Sequence, residues 1–169
     1  WKDRLTPEIE TEFVIHGRTL KAEAIGIDTG GSSTATAYDY CALNSARQVL
    51  AMKGVGGDKP VVDMKPSKNW RKKGLDGWLI GTNAAKDVIM ASLSRTDGSG
   101  RVIFPDGVEL PADYADQITA ERRVMKITGN RKTFHYEKRS PSARNEALDT
   151  MVYAYAAFKW MQIHRGLNM

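Results

Sequence analysis

The sequence predicts a mixed α/β fold, a sheet with helices packed on it, and three observations carry that expectation. Short apolar runs bounded by glycine and turn residues read as strands. Two longer stretches, Ala84–Ser94 and about Ser142 to Ile163, read as helices, the second from its apolar residues at three- and four-residue spacing. A Gly-Asn pair joins two β-like runs just ahead of the second helix. A chain of 169 residues suffices for one globular domain with a small extension. Its 41% hydrophobic and 27% charged residues exclude a disordered, collagenous or coiled-coil chain. No apolar run approaches the ~20 residues that cross a bilayer.

Residues 1–20 are expected to be a lead-in with a short strand at Thr11–His16, followed by the domain proper over 21–169. Ala22–Asp28 is a compact apolar strand that ends on a carboxylate. Thr29-Gly30-Gly31-Ser32-Ser33 makes a tight turn. Thr34–Cys41 alternates and reads as a second strand, and Arg47–Lys53 as a third, closed by Gly54 and the Gly56-Gly57 pair. Three strands with short turns predict an antiparallel meander. Residues 55–76 are polar and basic and predict a long loop. Trp78–Gly81 is a short buried strand, after which Thr82-Asn83 offers an N-cap for the helix Ala84–Ser94. A further strand is expected at Val102–Phe104 and a helix at Ala112–Glu121. Arg123–Thr128 and Arg131–Lys138 flank Gly129-Asn130 and predict a β-hairpin. Ser140-Pro141 starts the last helix, whose apolar stripe is Leu148, Met151, Val152 and Tyr155.

The net charge of +5 is unevenly spread. Between Arg122 and Arg144 lie eight basic residues against one acid, Glu137, a net +7; the remaining 17 basic and 19 acidic residues leave −2. This one short stretch, which contains the predicted hairpin, therefore carries more than the whole net charge. Lys65, Lys68, Arg71, Lys72 and Lys73 form a second cluster around Trp70. Basic stretches with interleaved aromatics suit phosphate backbones and base stacking, although a solvated basic face is the simpler alternative. The hairpin and loop cations Lys126, Arg131, Lys132, Arg144, Lys72 and Lys73 are the candidate DNA contacts.

Two carboxylates stand out. Asp28 ends a hydrophobic strand ahead of glycines that let a ligand approach the backbone. A carboxylate there suits a divalent cation such as Mg²⁺, which prefers oxygen ligands; it equally suits a turn-forming Asp. Asp149 shares a helix face with Asn145, four residues earlier, near the edge of the apolar stripe. Glu146, Asp87, Asp63 and Asn83 are possible third members. Asn83 follows the Trp78–Gly81 strand, where a strand-end ligand would sit. His16, His135 and His164 match no zinc spacing. The single Cys41 forbids an internal disulfide and suits a reduced, cytoplasmic setting. No P-loop is present.

Ile25-Gly26-Ile27-Asp28-Thr29-Gly30-Gly31, with a following Thr, resembles both the first phosphate motif of the actin/sugar-kinase superfamily and the first strand of an RNase H-like nuclease. Further segments favour the nuclease: Tyr38–Cys41, Val49–Gly54, Ile80–Asp87, Phe104-Pro105, Tyr114–Glu121 and Arg144–Tyr153. In this order, over about residues 24–158, the chain resembles the nuclease domain of phage terminase large subunits of the lambda-like type. The resemblance implies an RNase H-like mixed sheet flanked by helices, with the basic hairpin before the last helix. It implies a metal-dependent endonuclease that cuts concatemeric viral double-stranded DNA during packaging with two Mg²⁺ or Mn²⁺ ions. It also implies an N-terminal ATPase domain outside this sequence, a small terminase subunit and a portal as partners, no membrane association, and the host cytoplasm as the place of action. Asp28 matches the first-strand metal carboxylate and Asp149 the last-helix one. The middle position falls at Asn83, where relatives often carry Asp, so Asn83, Asp87 and Asp63 remain alternatives. A non-catalytic DNA-binding module of the same fold and half of a sugar-kinase-like phosphotransferase are the competing readings.

Overall fold

The computed structural model describes residues 2–15, 17–71, 74–104 and 109–166. The architecture is mixed α/β, as an RNase H-like fold requires. The chain divides into two compact units, residues 1–54, 62–79 and 156–169 in the first, and 55–61 and 80–155 in the second.

In the first unit, α1 (Lys2–Glu10) leads into the antiparallel pair β1 (Glu12–Ile15) and β2 (Arg18–Lys21). A second, three-stranded sheet is ordered β3 (Ile25–Asp28), β4 (Val49–Val55), β5 (Gly77–Gly81). β3 and β4 run parallel, with Ile25 opposite Val49 and Asp28 opposite Met52. This overturns the predicted meander. Parallel strands cannot be joined by a tight turn and need a crossover, most often a helix. Thr34–Leu43 supplies it as α2. The stretch expected as a strand alternates only superficially. Its buried residues are Ala37, Tyr40 and Cys41, at i, i+3 and i+4, the period of a helix face.

Those three pack with Ile27, Val49 and Ala51 as the core of this unit, and Leu5 and Ile9 of α1 lie against it. The lead-in is thus packed onto the core, and the Thr6 hydroxyl hydrogen-bonds the Tyr40 hydroxyl at 3.3 Å. Burial pushes the Cys41 thiol up to about 11, so it remains protonated and a poor nucleophile at neutral pH. Residues 55–76 are not wholly a loop, for Lys68–Arg71 forms a single turn, α3.

In the second unit, α4 (Thr82–Leu93) follows the end of β5. It begins earlier than expected, with Gly81 at the N-cap position; Thr82 and Asn83 are its first two residues, so neither is the cap. The Thr82 hydroxyl donates instead to Val55 O at 3.2 Å. No strand forms at 102–104. The expected helix 112–121 shortens to α5 (Tyr114–Ile118), because Glu121 already begins β6. β6 (Glu121–Thr128) and β7 (Arg131–Lys138) form the predicted hairpin, paired from Glu121 opposite Lys138 to Thr128 opposite Arg131. α6 (Glu146–Arg165) closes the chain, its residues 146–155 lying in this unit with Leu148 and Val152 fully buried. Buried Gln117 of α5 satisfies an orphan donor at the start of α6, accepting from the Ala147 N–H at 3.1 Å.

Gly81 fixes where α4 starts. Its N–H bonds Pro60 O at 3.1 Å, and a Cβ there would collide with the carbonyl oxygens of Lys59 and Pro60. Backbone atoms cannot yield as a side-chain tip can. Gly81→Ala is therefore expected to destabilise the protein by about 1–3 kcal/mol, within the range for overpacking. A thermal melt would read this as a Tm lower by several degrees; an unchanged Tm would mean that the 59–60 segment is free to move.

Candidate functional site

Asp28 sits at the carboxyl end of β3, and its side chain is exposed. The ladder continues one residue past it: the Thr29 N–H and hydroxyl both donate to Met52 O, at 2.8 and 2.9 Å. Buried Thr29 thus clamps the strand end, and the carboxylate before it is held outward. Asp28 Oδ1 accepts the Gly30 N–H at 2.8 Å. A Cβ at position 30 would stand 3.1 Å from that oxygen, so glycine leaves the carboxylate uncrowded. The turn role of an Asp is present here together with an open carboxylate.

The second unit gathers a charged cluster at Asp149. On α4 the ammonium of Lys86 is buried, and it donates to both oxygens of buried Glu121, the first residue of β6, at 2.8 Å each. The same ammonium lies 3.2 Å from Asp149 Oδ1 on α6. Asn145 Nδ2 bridges the two acids, at 2.7 Å from Glu121 Oε1 and 3.0 Å from Asp149 Oδ2. The face shared by Asn145 and Asp149 is as the four-residue spacing predicts. Glu121 is fully engaged, whereas the Asp149 side chain is 47% exposed. Sequence reasoning missed Lys86 and Glu121. Nothing in the local sequence marks either of them out from a surface charge.

Asn83 and Asp87 are occupied otherwise than as a ligand pair. Asn83 Nδ2 donates to Phe134 O at 3.0 Å and to Gly57 O at 3.4 Å, lashing the hairpin and the 55–61 segment to α4. Asp87 Oδ1 accepts the Tyr136 hydroxyl at 2.8 Å and pairs with Arg123 Nε at 3.1 Å. Burial, and then the bond to Asp87, push the Tyr136 hydroxyl well above its ordinary value. Asp63 lies exposed ahead of α3.

Of the expected DNA contacts, Arg131 and Lys132 line a cleft of about 310 Å³ with Lys59, Arg123, Asn83 and Asp87. Lys126 is exposed on the strand opposite Thr133. Arg144 is exposed and shared between Asp113 and Glu146, at 3.2 and 3.3 Å. Lys72 and Lys73 lie outside the described residues.

The accessible carboxylates offer only oxygen donors, the donor type that hard divalent ions prefer. Among the described residues, no three His, Cys, Asp or Glu side chains stand together as a ligand group. No described helix is long and apolar enough to cross a membrane.

The family profile of the terminase large subunit gpA endonuclease domain matches residues 3–168. The chain is 33% identical over 151 residues to the terminase large subunit of Escherichia phage lambda, covering 85% of this chain and 23% of that protein. It is 31% identical over 151 residues to the terminase large subunit of Enterobacteria phage P21, with the same coverage. The chain thus spans about a quarter of the length of these relatives. No solved structure matches it.

The buried Lys86–Glu121 pair yields a stability prediction. Removing one partner of a buried ion pair leaves an uncompensated charge, and Lys86→Met is expected to cost about 3–5 kcal/mol in denaturant unfolding. Adding Glu121→Leu removes the stranded carboxylate and is expected to recover most of that loss. A double variant as unstable as the single one would show that Lys86 acts mainly through Asp149.

Proposed function

Since the chain belongs to the terminase large subunit gpA endonuclease-domain family, we propose that it is a metal-dependent endodeoxyribonuclease that cuts concatemeric viral DNA during genome packaging. The observation that carries this reading is Asp28, an open carboxylate at the carboxyl end of a parallel strand. Open α/β sheets bind their ligands outside that end, and here Thr29 and Gly30 hold the acid outward and uncrowded.

Asp28 and Asp149 are the residues that would hold Mg²⁺ or Mn²⁺, two ions in all. The geometry within each unit supports each of them separately, because both are accessible oxygen donors. When bound, such ions lower the pKa of a water nucleophile and stabilise charge on a phosphoryl group. The chain's own residues supply position and counter-charge. Lys86 and Asn145 hold the Asp149 carboxylate from two sides, and this fixes its rotamer before any substrate arrives. Lys126, Arg131, Lys132 and Arg144 would neutralise backbone phosphates of double-stranded DNA, as would Lys72 and Lys73. Contacts of that kind position the duplex and read no sequence. Asn83 and Asp87, the alternatives for a middle ligand, are both tied to the hairpin, Asn83 through Nδ2 and Asp87 through Oδ1. The ATPase domain of the full-length protein, the small terminase subunit and the portal are the proposed partners, in the cytoplasm of the infected bacterium.

The test is plasmid cleavage with Mg²⁺ or Mn²⁺ and without ATP. Cleavage is expected to cease in EDTA. Asp28→Asn and Asp149→Asn are each expected to lower the rate by more than about 100-fold, beyond the effect typical of a residue that merely supports a metal ligand. Circular dichroism melts should show both variants folded. Wild-type cleavage by either variant would remove that residue from the site, and DNA binding without any cleavage would make the chain a binding module.

A further inference from the structure

We propose that the cleft at the foot of the β6–β7 hairpin seats a backbone phosphate of the DNA, with Arg123 as its anchor and Asp87 as the residue that positions the anchor. This rests on the reading of the domain as a DNA nuclease and adds residues to it.

The cleft's charged lining is Lys59, Arg123, Arg131 and Lys132 against Asp58 and Asp87. Long cations on a surface are usually mobile and cost entropy to fix. Arg123 differs. Its guanidinium carbon lies 4.0 Å from the centre of the Phe134 ring, and its Nε is paired with Asp87 at 3.1 Å. Among the described residues, Asp87 is its ion-pair partner, and it lies on the Nε edge. The fork of terminal N–H groups is therefore left for a planar or tetrahedral oxyanion, the bidentate mode in which arginine excels. The side chain is 47% exposed, so an incoming phosphate can reach it.

An acid inside an anion cleft needs a reason. Asp87 Oδ1 is held by the Tyr136 hydroxyl at 2.8 Å as well as by Arg123. Tyr136 remains a protonated donor throughout the neutral range, since its hydroxyl titrates well above it. The acid is thus fixed by one partner and fixes the other. Asn83 completes the frame by tying the Phe134 carbonyl, and hence the ring under the guanidinium, to α4.

Placement supports a phosphate of the strand being cut. Glu121 and Arg123 lie two residues apart on one face of β6, roughly 7 Å along the strand. Lys86 and Asp87 are neighbours on α4. The anchor therefore borders the Lys86–Glu121–Asp149 cluster.

The experiment measures binding of a short DNA duplex to the 169-residue chain by fluorescence anisotropy, in EDTA, across a salt series. Arg123→Gln is expected to weaken binding about tenfold, the scale of one charge-assisted contact, and to reduce the log–log salt slope by about 0.9. Arg123→Lys should restore the slope and only part of the affinity. Asp87→Asn discriminates among roles. An acid that merely repels DNA would, once neutralised, give tighter binding. A metal ligand would give no change in EDTA. A positioning residue gives weaker binding, and Tyr136→Phe a smaller loss in the same direction. Unchanged or tighter binding by Asp87→Asn overturns its positioning role. Wild-type affinity and slope in Arg123→Gln overturn the phosphate site while leaving the nuclease reading intact. Failure of the unaltered chain to bind duplex DNA overturns both.

Discussion

One buried ammonium organises the second unit. Lys86 on α4 is held by Glu121 at the root of β6 and by Asp149 on α6, so a single charge joins three elements that are far apart in sequence. Burying an ion costs several kcal/mol, and only good geometry with further hydrogen bonds offsets it. Here Asn145 supplies those bonds to both acids. Whatever the net stability of the cluster, it is intolerant of misplacement. If β6 slipped by one residue, Glu121 would turn to the other face of the ribbon and the ammonium would lose its main partner. The register of the hairpin, and with it the position of every basic residue on it, follows from that pairing.

The first unit rests on a different constraint, the parallel pairing of β3 with β4. It demands the α2 crossover, and α2 in turn covers Ile27 and Ala51 with Ala37, Tyr40 and Cys41. Small residues on α2 let the helix approach the strands closely. Thr29 then serves two purposes at once, ending the ladder with two bonds to Met52 O and accepting the Thr34 hydroxyl at 3.0 Å on its own carbonyl. The strand end and the helix start are thereby fixed to each other, and Asp28 is presented from a rigid edge rather than from a loose turn.

What was legible in the sequence divides along physical lines. The hairpin was readable almost to the residue, because Gly129-Asn130 names its turn and both arms are rich in β-formers. The last helix was readable from Leu148 and Val152. Thr34–Cys41 was not, since Ala and Thr alternate there while the buried set obeys the helical period; only the parallel pairing, a tertiary fact, decides between them. Val102–Phe104 has strand-like residues and no partner strand, and propensity alone does not make a ladder. Asp28 and Asp149 stood out as candidates because each ends or edges an apolar element. Lys86 and Glu121 were invisible because nothing local distinguishes a buried ion pair from two surface charges until the helix and the strand are brought together.

The helical period also explains how α4 divides its labour. Asn83 and Asp87 are four residues apart and share a face, which is the face against the hairpin: one ties the Phe134 carbonyl, the other Tyr136 and Arg123. Lys86 is turned from that face by about 100° relative to Asp87 and reaches the carboxylates instead. Adjacent residues of opposite charge thus serve two neighbouring regions, the cation among acids and the acid among cations. Each is placed where it lowers the local excess of charge without cancelling it. The acidic cluster is left with a net negative charge suited to a divalent cation, and the cleft with a net positive charge suited to a phosphate. The proposed nuclease would have to bring a cation and a polyanion together, and that needs the separation held over a few ångströms. Rigid elements joined by hydrogen bonds and ion pairs can hold it where long, unpartnered surface side chains cannot.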